Sequence, residues 1–221
     1  MPERRAMTSY PVEPLTFASN PFRDEWYEQD YIFTPDGAKV DHKHPCKHVY
    51  ELSRPFVRNF RTAVDVGCRM GEFSRFLQHD FDHLFAFDAS VHRLFASNVK
   101  LERVTAFASA LGDEEGEIEM AGGGHAVVPG KMRTVPVHRL DEFQLRDVDF
   151  IKIDVEGFER RVILGGMETI KRDRPLIVVE QNDVRLPDEE PFAARKLLED
   201  IGYRQAAVCK RGWDHIMVYD G

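Results

Sequence analysis

Val64-Asp65-Val66-Gly67-Cys68-Arg69-Met70-Gly71 reads as a short apolar strand running into a glycine turn. Gly67 and Gly71 let the backbone approach a ligand where a side chain would intrude. The helix expected next offers unpaired amides to an anionic group. By itself such a turn suits an ordinary tight turn or a dinucleotide site. Neither the three-glycine dinucleotide fingerprint nor the phosphate-loop Gly-Lys-Ser/Thr is present.

The flanking sequence decides the fold. Thr62–Val66 is the strand before the turn, and Glu72–Leu77 is the helix after it. His83–Phe87, closing on Asp88, is a second strand, and Ser90–Val99 a second helix. Val104–Ala108 is a third strand, and Gly116–Val137 a hairpin or meander broken by Gly122-Gly123-Gly124. Asp149–Val155 and Pro175–Glu180 are the fourth and fifth strands, separated by a helix that ends at Gly165-Gly166. A helix over Phe192–Ile201 precedes an antiparallel pair, Tyr203–Val208 and His215–Tyr219. Strands alternating with helices predict an α/β fold, a mostly parallel sheet covered on both faces and closed by an antiparallel strand. Ligands bind at the carboxyl ends of such strands. Gly67, Asp88, Ser109, Asp154 and Glu180 therefore fall along one edge.

Residues 1–45 show no sustained period and read as an irregular segment, with the folded domain over 46–221. Phe17, Phe22, Trp26, Tyr27, Tyr31 and Phe33 are too many aromatics for a free tail, so part of the segment should pack on the domain as a lid or an arm. A length of 221 residues suits one domain, and 43% apolar with 31% charged residues suits a globular one. No apolar run approaches the roughly 20 residues of a membrane span. Cys46, Cys68 and Cys209 fit neither a disulfide framework nor a zinc ribbon, which points to a reducing compartment and a cytoplasmic location. A net charge of −8 argues against a broad nucleic-acid surface.

Two further elements carry chemistry. Asp88 lies 21 residues after Gly67, where a carboxylate can accept both ribose hydroxyls or cap the next helix. The stretch Asp149-Phe150-Ile151-Lys152-Ile153-Asp154-Val155-Glu156-Gly157-Phe158-Glu159 places Lys152, Asp154 and Glu156 on one face and Ile151, Ile153 and Val155 on the other. A strand buried between helices should be apolar throughout. Charges there require either mutual pairing or a functional site at the strand's end.

Asp65-Val66-Gly67, Gly71-Glu72-Phe73-Ser74, Ala110-Leu111-Gly112-Asp113, Leu140-Asp141, Ile151 through Glu159, Leu164-Gly165-Gly166 and Pro175 through Glu180 together resemble the FkbM-type methyltransferases. The likeness runs from Ala63 to Asn182, and Lys-Ile-Asp-Val-Glu-Gly is its most specific part. It implies a class I methyltransferase (Rossmann-like) fold with a seven-stranded sheet. It also implies S-adenosylmethionine as donor and a hydroxyl acceptor on a small molecule or sugar. The implied cofactor set is Asp65, Gly67, Cys68, Gly71, Asp88, Ser109 and Ala110. Asp154 would take or orient the acceptor proton, with Lys152 and Glu156 tuning it or touching substrate. Asp154, Glu156 and Glu180 are candidates for a divalent cation such as Mg²⁺. Cys68-Arg69 stand where the family often has Ala-Asn, which bears on contacts to the methionine carboxylate. His125, on a glycine-rich loop, is a weaker catalytic candidate.

Rival readings are an RNA 2′-O-methyltransferase, for which Lys152, Asp154 and Glu180 suit part of a catalytic tetrad, and a non-catalytic nucleoside-binding or scaffold protein on the same fold. A nicotinamide-dependent oxidoreductase lacks its glycine fingerprint. Self-association stays open at this level.

Overall fold

The computed structural model describes residues 10–17, 21–40, 46–121, 132–182 and 189–221. In chain order the elements are β1 (Ile32–Phe33), β2 (Lys39–Val40), α1 (Lys47–Ser53), β3 (Thr62–Val66), α2 (Ser74–Asp80), β4 (His83–Asp88), α3 (Phe95–Asn98), β5 (Val104–Ala108), β6 (Ala110–Leu111), β7 (Gly116–Ala121), β8 (Met132–His138), β9 (Val148–Ile153), α4 (Glu159–Gly165), α5 (Met167–Asp173), β10 (Leu176–Glu180), α6 (Ala193–Asp200), β11 (Tyr203–Val208) and β12 (Asp214–Tyr219).

Seven strands form the central sheet in the order β11-β12-β10-β9-β3-β4-β5. β3 is parallel to both β4 and β9; strands after it are added first on one side and then on the other, so the strand order switches at the glycine turn. β12 alone runs antiparallel, between β10 and β11. Side chains alternate across the sheet: Ile151, Ile153, Val64 and Val66 meet α4, α5 and α6 on one face. Phe150, Ala63 and Leu84 meet α1 and α2 on the other, and Phe95 of α3 packs beside them on Ala86 and Ala106. Helices on both faces and a C-terminal antiparallel strand are as expected from the alternation.

Several boundaries differ from the sequence expectation. Ser90–Val99 shrinks to the four residues of α3, because Asp88 takes the Ser90 amide at 2.6 Å and His92 Nδ1 takes that of Leu94 at 3.1 Å. Side chains that bind nearby amides compete with the helical ladder. The fourth strand ends at Ile153 rather than Val155. Glu156 and Gly157 then adopt positive φ, 54° and 104°, and the Glu159 carboxylate takes the amides of Val155 and Gly157 at 3.1 and 3.0 Å. Glu156 thus sits in a turn, not on the strand face predicted for it. An unpredicted helix, α5, starts directly after Gly166. Its first amides, Glu168 and Thr169, are capped at 3.0 and 2.8 Å by Asp141, a residue distant in sequence.

The N-terminal segment packs along the sheet's edge. The Leu15 amide bonds the Ala106 carbonyl at 2.8 Å, which occupies part of the open edge of β5. The Tyr10 ring meets Phe107 edge-on at 5.1 Å, and Trp26 stacks on Phe33 at 4.4 Å. β1 and β2 form a small separate hairpin.

Candidate active site

A cavity of about 890 Å³ opens at the carboxyl ends of β3, β4, β9 and β10. Among the described residues none before Cys46 lines it. Asp65, Gly67, Asp88, Ser109, Ala110, Lys152, Asp154, Glu156 and Glu180 all do, which brings most of the sequence candidates together. Cys68 and Gly71 do not reach it. The Cys68 side chain is buried with Phe95 and Val99. A Cβ on Gly71 would meet Val99, Asn98 and Phe95 at 3.3–3.5 Å. Gly67 serves packing as well: a Cβ there would lie 1.8 Å from the Asp154 carbonyl oxygen. Both glycines are required by positive φ, 91° and 85°, and by the protein atoms packed against them.

The amides of this turn are spent internally. Gly67 and Cys68 donate to the Phe87 carbonyl, and Gly71 to that of Cys68. Arg69 donates to Asp88 Oδ2 at 2.9 Å, and Met70 to Glu72 Oε2 at 2.9 Å. The turn itself, residues 67–71, therefore presents no free amide; the helix expected after it begins at Ser74. Glu72, which lines the cavity, was not singled out from sequence; its only signal was its place directly after Gly71. Ser109 is buried, and its hydroxyl donates to the Ala110 carbonyl at 2.8 Å.

At the other side of the cavity stand Lys152, Asp154 and Glu180. The Lys152 ammonium is buried, 3.2 Å from Asp154 Oδ2 and 3.6 Å from Asp214 Oδ1. It also lies over the Phe73 ring at 5.6 Å. Among the described residues its Nζ has no hydrogen-bond acceptor in good geometry. Burial opposes its charge, but Asp154 and Asp214 outweigh burial and hold it protonated. Burial raises the Glu180 carboxyl, as do the Asp154 charge and a hydrogen bond to Asp154. Asp214 lies opposite Glu180 across the β10–β12 ladder. Only that tertiary pairing brings Asp214 to Lys152. Both alternatives for the charged strand hold at once: a Lys–Asp pair and a cavity at the strand's end.

The expected cation trio is not assembled. Among the described residues, the group whose ligand atoms all lie within 4.8 Å of one another is Glu115, His138 and Glu142, outside the cavity. Glu156 leaves in its turn, and the Lys152 ammonium sits against Asp154. His215 is buried with Nδ1 against Gln205 at 2.6 Å. His125 lies outside the described residues.

Asp65 accepts the Ser74 hydroxyl at 2.5 Å, and burial pushes its carboxyl up to about 7. The folded state therefore binds this proton more tightly than the unfolded chain does. Stability from this group is full below the ordinary carboxylate value and is lost as pH rises towards about 7. Asp65→Asn should flatten this part of the profile. Urea midpoints at pH 5 and pH 8 should differ less in the variant than in the native protein; an equal difference would contradict the assignment.

A sheet of this strand order, with its cavity at the switch point between β3 and β9, defines a class I methyltransferase fold. The chain belongs to the methyltransferase FkbM domain family, which matches residues 93–205, just over half of it. The matched segment contains Lys152, Asp154, Glu156 and Glu180, and begins after the glycine turn. Membership of this family supports S-adenosylmethionine-dependent methyl transfer in general. Solved structures similar to it include methyltransferase FkbM from Methylobacillus flagellatus, at 16% identity and TM-score 0.49, covering 76% of this chain and 50% of that one. A precorrin 8W decarboxylase from Methanobacterium thermoautotrophicum follows at 16% and 0.48, covering 87% and 97%. A precorrin-6y C5,15-methyltransferase from Geobacter metallireducens stands at 16% and 0.45, covering 83% and 94%. The chain spans half the length of the first of these. No curated protein matches it.

Proposed function

We propose that the chain methylates a hydroxyl oxygen of a small molecule or sugar. The observation that carries this reading is the buried Lys152 ammonium. It lines the cavity beside Asp154 and Glu180, with its charge balanced but, among the described residues, no hydrogen-bond acceptor in good geometry. A buried donor in that state suits an incoming oxygen.

Bound S-adenosylmethionine supplies a methyl group on a sulfonium, open to in-line attack. Asp88, which takes the Arg69 and Ser90 amides at the end of β4, holds the ribose hydroxyls. Ser109 and Ala110 flank the base with backbone and a methyl group, because the Ser109 hydroxyl is already engaged. Lys152 donates to the acceptor oxygen and lowers its proton affinity. Asp154 accepts the hydroxyl proton as the oxygen attacks, and Glu180, hydrogen-bonded to it, shares the charge. Among the described residues, eight carboxyls line the pocket against one arginine and one lysine, which fits a cationic sulfonium better than a polyanion. This disfavours the RNA reading.

Residues 46–221 form the methyltransferase domain in this proposal, and the preceding segment braces the edge of the sheet. The free thiols Cys46, Cys68 and Cys209 accord with a cytoplasmic enzyme.

The test is calorimetry with S-adenosylmethionine on the native protein and Asp88→Ala. Loss of the ribose hydrogen bonds should weaken binding by about ten- to a hundredfold. An acceptor screen with and without Mg²⁺ follows. A native protein that binds no cofactor, or a variant that binds equally well, would overturn the ribose assignment. Binding without turnover on any hydroxyl would favour the scaffold reading.

A further inference from the structure

We infer that Glu115, His138 and Glu142 form a binding site for a divalent transition-metal ion of the zinc class, which ties the turn before β7 to the end of β8. The inference stands apart from the cofactor reading, since none of the three residues lines the large cavity. One ligand atom from each of them lies within 4.8 Å of the other two. Backbone pairing produces that convergence. Gly116 pairs with Val137 in the antiparallel β7–β8 ladder, so the next residues out, Glu115 and His138, stand opposite each other. On its other side β8 is held by β6: Leu111 pairs with His138, and the Gly112 amide bonds the His138 carbonyl at 3.0 Å. Glu142 follows in the 3-10 turn Leu140–Phe143, where its amide bonds the Arg139 carbonyl at 3.1 Å and the chain turns back onto His138.

The side chains are set for a metal as well. His138 Nδ1 lies 3.3 Å from Glu142 Oε2. Two ligands of a tetrahedral zinc ion stand about 3.3–3.6 Å apart, given metal–ligand bonds of about 2.0–2.2 Å. This pair is already at that spacing, and its side chains are only 18% and 13% exposed. The other oxygen, Glu142 Oε1, accepts from Arg139 Nε at 2.9 Å, the kind of outer bond that orients a ligating carboxylate. The His138 ring stands edge-on to Phe143, with centroids 6.1 Å apart, which limits its rotation. Glu115 is exposed, so its side chain can rotate to close the remaining distance. Two carboxylates alone would suit Ca²⁺ or Mg²⁺. The imidazole nitrogen added to them selects Zn²⁺ over Mg²⁺. Water takes the fourth position.

The test is calorimetry of the untagged protein with Zn²⁺ and, separately, with Mg²⁺, beside absorption spectra with Co²⁺ as a coloured substitute for zinc. One Zn²⁺ should bind per chain, and Mg²⁺ far more weakly. Glu115→Ala and His138→Ala should each weaken Zn²⁺ by about a hundredfold or more, because even the outer partners of a metal site contribute about ten- to a hundredfold. Glu115 is exposed, so its variant decides the matter should His138→Ala fail to fold. The Co²⁺ spectrum should lack a thiolate charge-transfer band, which would otherwise place the metal on Cys46, Cys68 or Cys209. With Zn²⁺ at about a hundred times its Kd, the thermal midpoint of the native protein should rise by about 5 °C. No Zn²⁺ binding, binding that neither variant weakens, Mg²⁺ binding as tight as Zn²⁺, or a thiolate band would each overturn the site.

Discussion

Gly67→Ala is expected to destabilise the chain by about 2–5 kcal/mol, through a left-handed residue forced to carry a Cβ and a backbone displaced to make room for it. The structural cause is specific: the new methyl would fall 1.8 Å from the Asp154 carbonyl oxygen. That carbonyl belongs to the residue whose amide bonds Val66 at 3.0 Å, so it cannot move without parting β3 from β9. Such a loss is a large share of the roughly 5–15 kcal/mol that holds a domain folded. The collision also lies between the cofactor side of the cavity and Asp154. A variant that still folds should therefore lose cofactor affinity too. Urea denaturation followed by far-ultraviolet circular dichroism gives the stability. Gly116→Ala is the control, since its Cβ would meet nothing within 4 Å. A Gly67→Ala midpoint equal to that of the control would refute the packing argument.

Lys152→Met should cost about 3 kcal/mol near neutral pH, the low end for breaking a buried pair. The low end applies because Asp154 is 40% exposed and water screens part of its charge, while Asp214 is only 17% exposed. Methionine keeps the contact with Phe73 and removes the charge that neutralises Asp154 and Asp214. Without the ammonium, the carboxylates of Asp154 and Asp214 lose their counter-charge, and their proton affinities rise. Acidification then neutralises them, so the deficit should shrink as pH falls from about 7 towards 5. On the proposed role of Lys152 as donor to the acceptor oxygen, methyl transfer should be lost at every pH. Denaturation at the two pH values, read beside the native protein, checks the sign. A deficit that does not shrink on acidification would mean that lost packing, not uncompensated charge, dominates.

The strand–helix alternation made most of the fold legible. Strands over 62–66, 83–88, 104–108 and 176–180 fall within a residue or so of expectation, because each is a short β-rich run closed by a turn residue. Placing Gly67, Asp88, Ser109, Asp154 and Glu180 at one edge needed only that each follow its strand, and all five line one cavity. The charged face of β9 was equally visible, since Lys152 in an apolar run has few bland explanations.

Sequence by itself thus determined the fold class, the edge that carries the site and the residues at the strand ends, because period and turn chemistry are local properties. What depended on distant partners was decided only by tertiary structure. The start of α5 rests on a cap from Asp141, the short α3 on Asp88 and His92, and the need for Gly67 on the carbonyl of Asp154. The internal bonding of the turn's amides arises where β3, β4 and the loop close on one another. Asp214 reaches Lys152 because β12 enters the sheet antiparallel beside β10, and strand pairing between segments so far apart is set by packing rather than by local preference.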